Sequence, residues 1–138
     1  MMETNKKNIG RTNKRKGSDA ERFYAKIFRE ELGFTHCKTS RFGSKLHDDA
    51  GIDLIFLPFN VQIKAGKQVG LNVSREITNM KVKTKEYFPE DAQEQDLPKL
   101  VIHKKETTTG KKRLDTDEIV SMTFEDFKKI IKKIEKWK

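Results

Sequence analysis

The sequence predicts an α/β (α+β) fold in which a central mixed β-sheet is flanked by helices, and three observations carry that expectation. Apolar residues recur at helical spacing in three separated segments, at 18–32, at 74–88 and after Thr123. Two runs rich in branched and aromatic residues, Gly51-Ile52-Asp53-Leu54-Ile55-Phe56-Leu57 and Val61-Gln62-Ile63-Lys64-Ala65, face each other across the short linker Pro58-Phe59-Asn60 and read as paired antiparallel strands. Further strand-like runs at 98–103 and 118–122 separate the second helix from the third, so helices and strands alternate as they do where helices cover a sheet. A chain of 138 residues holds one such domain.

The elements follow in order. Residues 1–16 contain Lys6, Lys7, Arg11, Lys14, Arg15 and Lys16 with almost nothing apolar, and are expected to form a flexible basic arm, either simply solvated or touching phosphates. The arm lacks the hydrophobic stretch of a secretory signal. A single domain then spans 17–138. Ser18-Asp19-Ala20-Glu21 has capping-box spacing before an amphipathic helix that runs to Leu32 and stops at Gly33. Phe34 to Ser40 reads as a first strand, and Arg41 to Asp49, with its Gly and polar residues, as a mobile loop. After the hairpin, Val73, Ile77, Met80, Thr84, Tyr87 and Phe88 place a helix over Ser74–Phe88, ended by Pro89. Pro98 to His103 reads as a strand, Thr107 to Lys112 as a turn and Glu118 to Met122 as the returning strand. Thr123 caps a last helix whose stripe of Phe124, Phe127, Ile130, Ile131, Ile134 and Trp137 serves core packing or a dimer seam. No internal repeat is visible.

Charge narrows the partners. With 30 Lys and Arg against 21 Asp and Glu, the formal net charge is +9, which favours a polyanion because each neutralised phosphate releases condensed counterions. Nucleic acid is the expected partner. No run approaches the ~20 apolar residues of a membrane span, so a soluble protein is expected. The lone Cys37 excludes an intramolecular disulfide, and the scattered His36, His47 and His103 do not have zinc-ligand spacing.

One constellation stands out against this background. Alternation along a strand puts Gln62 and Lys64 on one face and Val61, Ile63 and Ala65 on the other. Asp53 shares its strand face with Ile55 and Leu57, and an acid at the rim of an apolar face needs a partner or a metal. At about 100° per residue, Glu21 falls within the apolar arc of the first helix, opposite Arg22, Lys26 and Arg29, and so faces the sheet. Glu31 lies in the same arc at the helix end. The ordinary alternatives are a capping-box role for Glu21, a turn-capping role for Asp53 and a snorkelling edge-strand lysine at Lys64.

A helix Glu, a strand Asp and a following strand with a polar residue two before its Lys resemble the PD-(D/E)XK, or restriction-endonuclease-like, nuclease superfamily. The small size, the Gly-Ser loop and the basic surface are most similar to Holliday junction resolvases of the archaeal and phage type. The motifs span Lys16 to Gln68, and the remainder matches in coarse topology. Two positions depart from the pattern: Ile52 stands where the family name has Pro, and Gln62 replaces the usual acid, as in Gln-x-Lys variants of Mrr-like and replication-repair nucleases. A Gln carbonyl can still bind a hard cation but brings no charge.

The resemblance implies a restriction-endonuclease-like core and a catalytic set of Glu21, Asp53, Gln62 and Lys64. It implies Mg²⁺, with Mn²⁺ as a substitute, held by Asp53, the Gln62 side-chain oxygen, the Ile63 carbonyl and Glu21 directly or through water. Lys64 would orient or activate the attacking water. DNA contacts would come from Lys14, Arg15, Lys16, Arg41, Ser44, Lys45 and Lys67. His47, Asp48 and Asp49 are either an additional acidic site or a solvated loop. The expected protein is a homodimeric, structure-selective endonuclease acting on branched DNA in recombination and repair. It would work in the cytoplasm, that of the host if phage-encoded. An Mrr-like or flap- and nick-cutting repair nuclease, and an inactive basic DNA-binding module of the same fold, are the alternatives.

Overall fold

The computed structural model describes residues 17–66, 71–105 and 118–134, apart from the side chain of Lys105. The expected basic arm (with Lys14, Arg15 and Lys16), Lys67, the Thr107–Lys112 turn and Trp137 lie outside the described residues. Helix α1 (17–30) is followed by β1 (Lys38–Thr39), α2 (Ser40–Gly43), α3 (Lys45–Asp49), β2 (Leu54–Ile55), β3 (Asn60–Gly66), α4 (Val73–Tyr87), α5 (Ala92–Asp96), β4 (Lys99–Lys105), β5 (Glu118–Ser121) and α6 (Phe124–Lys133). The five strands form one mixed sheet in the order β1-β2-β3-β4-β5, antiparallel throughout except for the parallel pair β3–β4. A parallel pair needs a crossover, and α4 with α5 supplies it.

Helices cover both sheet faces because β3 and β4 alternate two apolar sets. Val61, Ile63, Leu100 and Ile102 pack with Leu54 and Cys37 against Tyr24, Ala25 and Phe28 of α1. On the opposite side Val101 packs with Ala50, Ile52 and the Ile77 and Met80 side chains of α4. Gln62 and Lys64, of the same parity as Val101 across the β3–β4 register, therefore belong to the α4 face. The predicted separation of Gln62 and Lys64 from Val61 and Ile63 holds. Among the described residues no helix is long and apolar enough to cross a membrane.

Local chemistry sets the element ends. Asn72 caps α4 by accepting the Arg75 N–H, so the helix begins at Val73, one residue ahead of the predicted start. Thr123 caps α6 through the Asp126 N–H, and the Asp126 carboxylate in turn accepts the Lys99 N–H at 2.9 Å, joining the helix to β4. Helix α5, which the spacing of apolar residues does not reveal, is capped by Asp91. Buried Lys99 closes its far end by donating from Nζ to the carbonyls of Gln95 and Leu97, and its burial pulls the ammonium pKa down to about 8.

Several predicted extents change. The expected strand from Phe34 to Ser40 shrinks to Lys38–Thr39, since residues 34–37 close a turn through the Cys37 N–H to the Phe34 carbonyl. The strand expected over 51–57 keeps only Leu54–Ile55: Gly51 (φ +81) and Phe56 (φ +64) turn the backbone out of extended geometry at either side. The segment 41–49 is not an irregular loop but two short helices, α3 being capped by Ser44, which accepts the His47 N–H. The α6 stripe is only partly covered, with Ile130 against the core but Phe124 71% exposed and Phe127 also exposed.

Candidate functional site

The site is built where β2 and β3 part. Leu54 pairs with Val61, and the residue before it, Asp53, is clamped on both sides: its N–H donates to the Val61 carbonyl at 2.7 Å and its carbonyl accepts the Ser40 N–H at 2.9 Å. Ile63 lies past the start of β2, where its N–H has no strand partner on that side, and the Asp53 carboxylate takes the role, Oδ2 accepting at 2.7 Å. Burial pushes the Asp53 carboxyl up to about 7 from the ordinary 3.8, opposed by the Ile63 N–H, raised further by the charge of Glu21, opposed by Lys64 and raised by Asp48. Two acids and a lysine thus act on one carboxylate from separate elements.

Glu21 reaches this site from α1 and is 5% exposed. Residue 17 is already helical, and the Ser18 hydroxyl accepts from Arg22 instead of a backbone N–H, so the capping-box role for Glu21 is not adopted. Its two carboxylate oxygens instead accept from Arg41, at 2.6 Å from Nε and 3.1 Å from Nη2. This fork is the geometry in which a guanidinium best neutralises a carboxylate. Arg41, expected to touch DNA, is therefore engaged as the counter-charge of Glu21. Both Glu21 oxygens are occupied by it, and Glu31 lies exposed at the far end of α1.

On the α4 face the Gln62 Oε1 is buried without a hydrogen-bond partner. Lys64 Nζ lies 3.7 Å from the Glu76 carboxylate of α4. Two residues that the motif spacing does not single out join them: Glu76, and His103, which stands in register with Lys64 on β4 and has a buried Nε2 with no partner. The parity of His103 with Val101 in its strand is the signal that places it on this face.

Of the other candidates, Lys45 is exposed at the start of α3. The Ser44 hydroxyl is 2.7 Å from His47 Nδ1, and His47 Nε2 is 2.9 Å from Glu94, which also accepts from Asn60 at 3.0 Å. Ser44 and His47 thus tie α3 to α5 and β3. Asp48 approaches the Ser40 hydroxyl at 3.5 Å, and Asp49 is exposed. Among the described residues no three His, Cys, Asp or Glu side chains gather as a metal cluster. Mg²⁺ makes do with one or two carboxylates, completing its shell with water and substrate phosphate. Asp53 and the unpartnered Gln62 oxygen fit that smaller demand. No protein-family model, curated protein or solved structure matches the chain.

Proposed function

We propose that this chain is a Mg²⁺-dependent, structure-selective DNA endonuclease of restriction-endonuclease-like type, acting on four-way junctions as a homodimer. The observation that carries the reading is the Asp53 carboxylate: the fold holds it beside Lys64 and the sheet-facing Glu21 with a pKa near neutrality, a condition that a divalent cation relieves. Asp53 and the Gln62 oxygen, with the Ile63 carbonyl as a further donor, would hold Mg²⁺. Bound there, the ion would lower the pKa of its water and neutralise the scissile phosphate. Lys64 would orient the attacking water and meet charge developing on the phosphate, while the Arg41 fork holds the Glu21 carboxylate in place. The net charge of +9 supports a phosphate-following surface.

The test is cleavage of labelled four-way junction, flap and linear duplex in Mg²⁺ and in EDTA. Paired symmetric nicks confined to the junction and lost in EDTA support the resolvase reading, whereas cuts at flaps or nicks move it to a repair nuclease. One observation favours a second reading. Gln62 is neutral and Glu21 is already satisfied by Arg41, leaving a single carboxylate for the ion. In a non-catalytic DNA-binding module of this fold, junction affinity would be the same in Mg²⁺ and EDTA and no strand would be cut.

A further inference from the structure

We propose that Phe56 and the groove beside it receive an unpaired base of single-stranded or branched DNA, with Lys38 and Arg29 meeting the adjoining phosphates. The substrate class rests on the nuclease reading above; the groove and its ring do not.

Phe56 holds φ +64, a conformation most cheaply supplied by Gly or Asn. The turn needs that conformation, since Leu57 and Phe59 beyond it both swing in to pack against the α1 face. It does not need a phenyl ring: Phe56 is 63% exposed and belongs to neither core. A bulky side chain kept in solvent on a strained backbone has no packing rationale. Instead it walls an open groove of about 980 Å³ between the end of α1 and the β2–β3 turn, lined also by Arg29, Phe34, His36 and Lys38. That volume is in the range of small-ligand sites.

The lining is aromatic and cationic, with no acid. Lys38 Nζ sits 5.5 Å from the Phe56 ring centroid. Arg29 is fixed by donating to the Cys37 carbonyl at 2.9 Å. A ring with one cation over it and a second held in the same groove suits a flat, electron-rich base joined to an anion, the combination single-strand binders use. Duplex bases already stack on each other and offer the ring no face, so the groove discriminates for unpaired nucleotides. Three residues along from Asp53, Phe56 lies at most about 10 Å away at the extended rise of about 3.3 Å per residue, within a few nucleotides of the proposed cleavage site.

The experiment is fluorescence anisotropy in EDTA, where no cutting occurs, with labelled oligo(dT) and a duplex of equal length against wild type, Phe56→Ala, Phe56→Tyr and Phe56→Gly. Phe56→Ala and Phe56→Gly should weaken oligo(dT) binding by roughly 5- to 100-fold, Phe56→Tyr should retain it, and duplex binding should move less than twofold. Phe56→Gly relieves the backbone, so its thermal midpoint should equal or exceed wild type and it remains readable if the Ala variant misfolds. Wild-type oligo(dT) affinity in Phe56→Gly, or an equal loss on duplex, overturns the proposal. So does a fall in oligomer mass on sedimentation of Phe56→Gly, which would assign the groove to a second copy. These binding changes together with no Mg²⁺-dependent cut by wild type would instead fall on the nuclease reading and leave the groove standing.

Discussion

Asp53→Asn removes a charge that the fold holds at a disadvantage while keeping an oxygen to accept the Ile63 N–H. The Asp53 pKa rises from 3.8 to about 7 on folding. At 1.36 kcal/mol per pH unit, its ionised form therefore costs about 4 kcal/mol more in the folded than in the unfolded chain. Between those values the folded state binds the additional proton, so wild-type stability falls as pH rises from about 4 to about 7 and the cost stays constant above. Asn does not titrate. In EDTA at pH 8 the variant should be more stable by up to about 4 kcal/mol, which for a chain of this length corresponds to roughly 14 °C in Tm. The gap should close towards pH 4. Mg²⁺ should raise the wild-type Tm by binding the ionised form and leave the variant unmoved. Thermal melts by circular dichroism across pH 4–8, with and without Mg²⁺, read all three effects. A variant no more stable than wild type at pH 8, or a gap independent of pH, would refute the desolvated-carboxylate account.

Arg41→Ala strands the buried Glu21 carboxylate; because Arg41 itself is 39% exposed, the expected loss is about 2 kcal/mol in urea unfolding, below the full cost of breaking a buried pair. Arg41→Lys should recover less than half of it, since Lys cannot form the fork. Gly51→Ala meets φ +81 and puts a Cβ 3.4 Å from the Gln62 amide nitrogen. It should cost about 1–2 kcal/mol, read as a lower urea midpoint; an unchanged midpoint would mean that the chain does not hold Gly51 in this left-handed conformation. His103→Leu deletes a buried nitrogen that has no partner and should raise stability by about 1 kcal/mol. A lower urea midpoint instead would mean that the nitrogen is satisfied in solution.

The features legible in the sequence are those set by short-range periodicity. Alternation from Val61 to Ala65 separated Gln62 and Lys64 from the α1 core because Val61 and Ile63 are buried while Gln62 and Lys64 are only partly so, and the helical spacing from Val73 to Phe88 located α4 to within one residue. Thr123 was readable as a cap because the cap bond is local. The Glu21–Arg41 fork was not, since it joins residues 20 apart through tertiary packing, and both had other local readings. Helices α2 and α3 escaped for the same reason: a four- and a five-residue helix have no measurable periodicity, and Ser44 works as a cap only once its chain is placed. Strand β2 was overextended because nothing in Ile55-Phe56-Leu57 announces a positive φ at Phe56. Exposure of Phe124 and Phe127 was equally hidden, since a stripe does not state what covers it.

The central claim, that Asp53 with Gln62 and Lys64 forms a metal-dependent phosphodiester-cleaving site, is tested most directly by single-turnover cleavage of a labelled four-way junction in Mg²⁺ by wild type and by Asp53→Asn, the latter shown folded by its melt. The account predicts metal-dependent paired nicks from wild type and none from Asp53→Asn, with junction binding in EDTA alike for the two. Equal cleavage by both proteins, or junction binding with no cut by wild type at any Mg²⁺ or Mn²⁺ concentration, would contradict it.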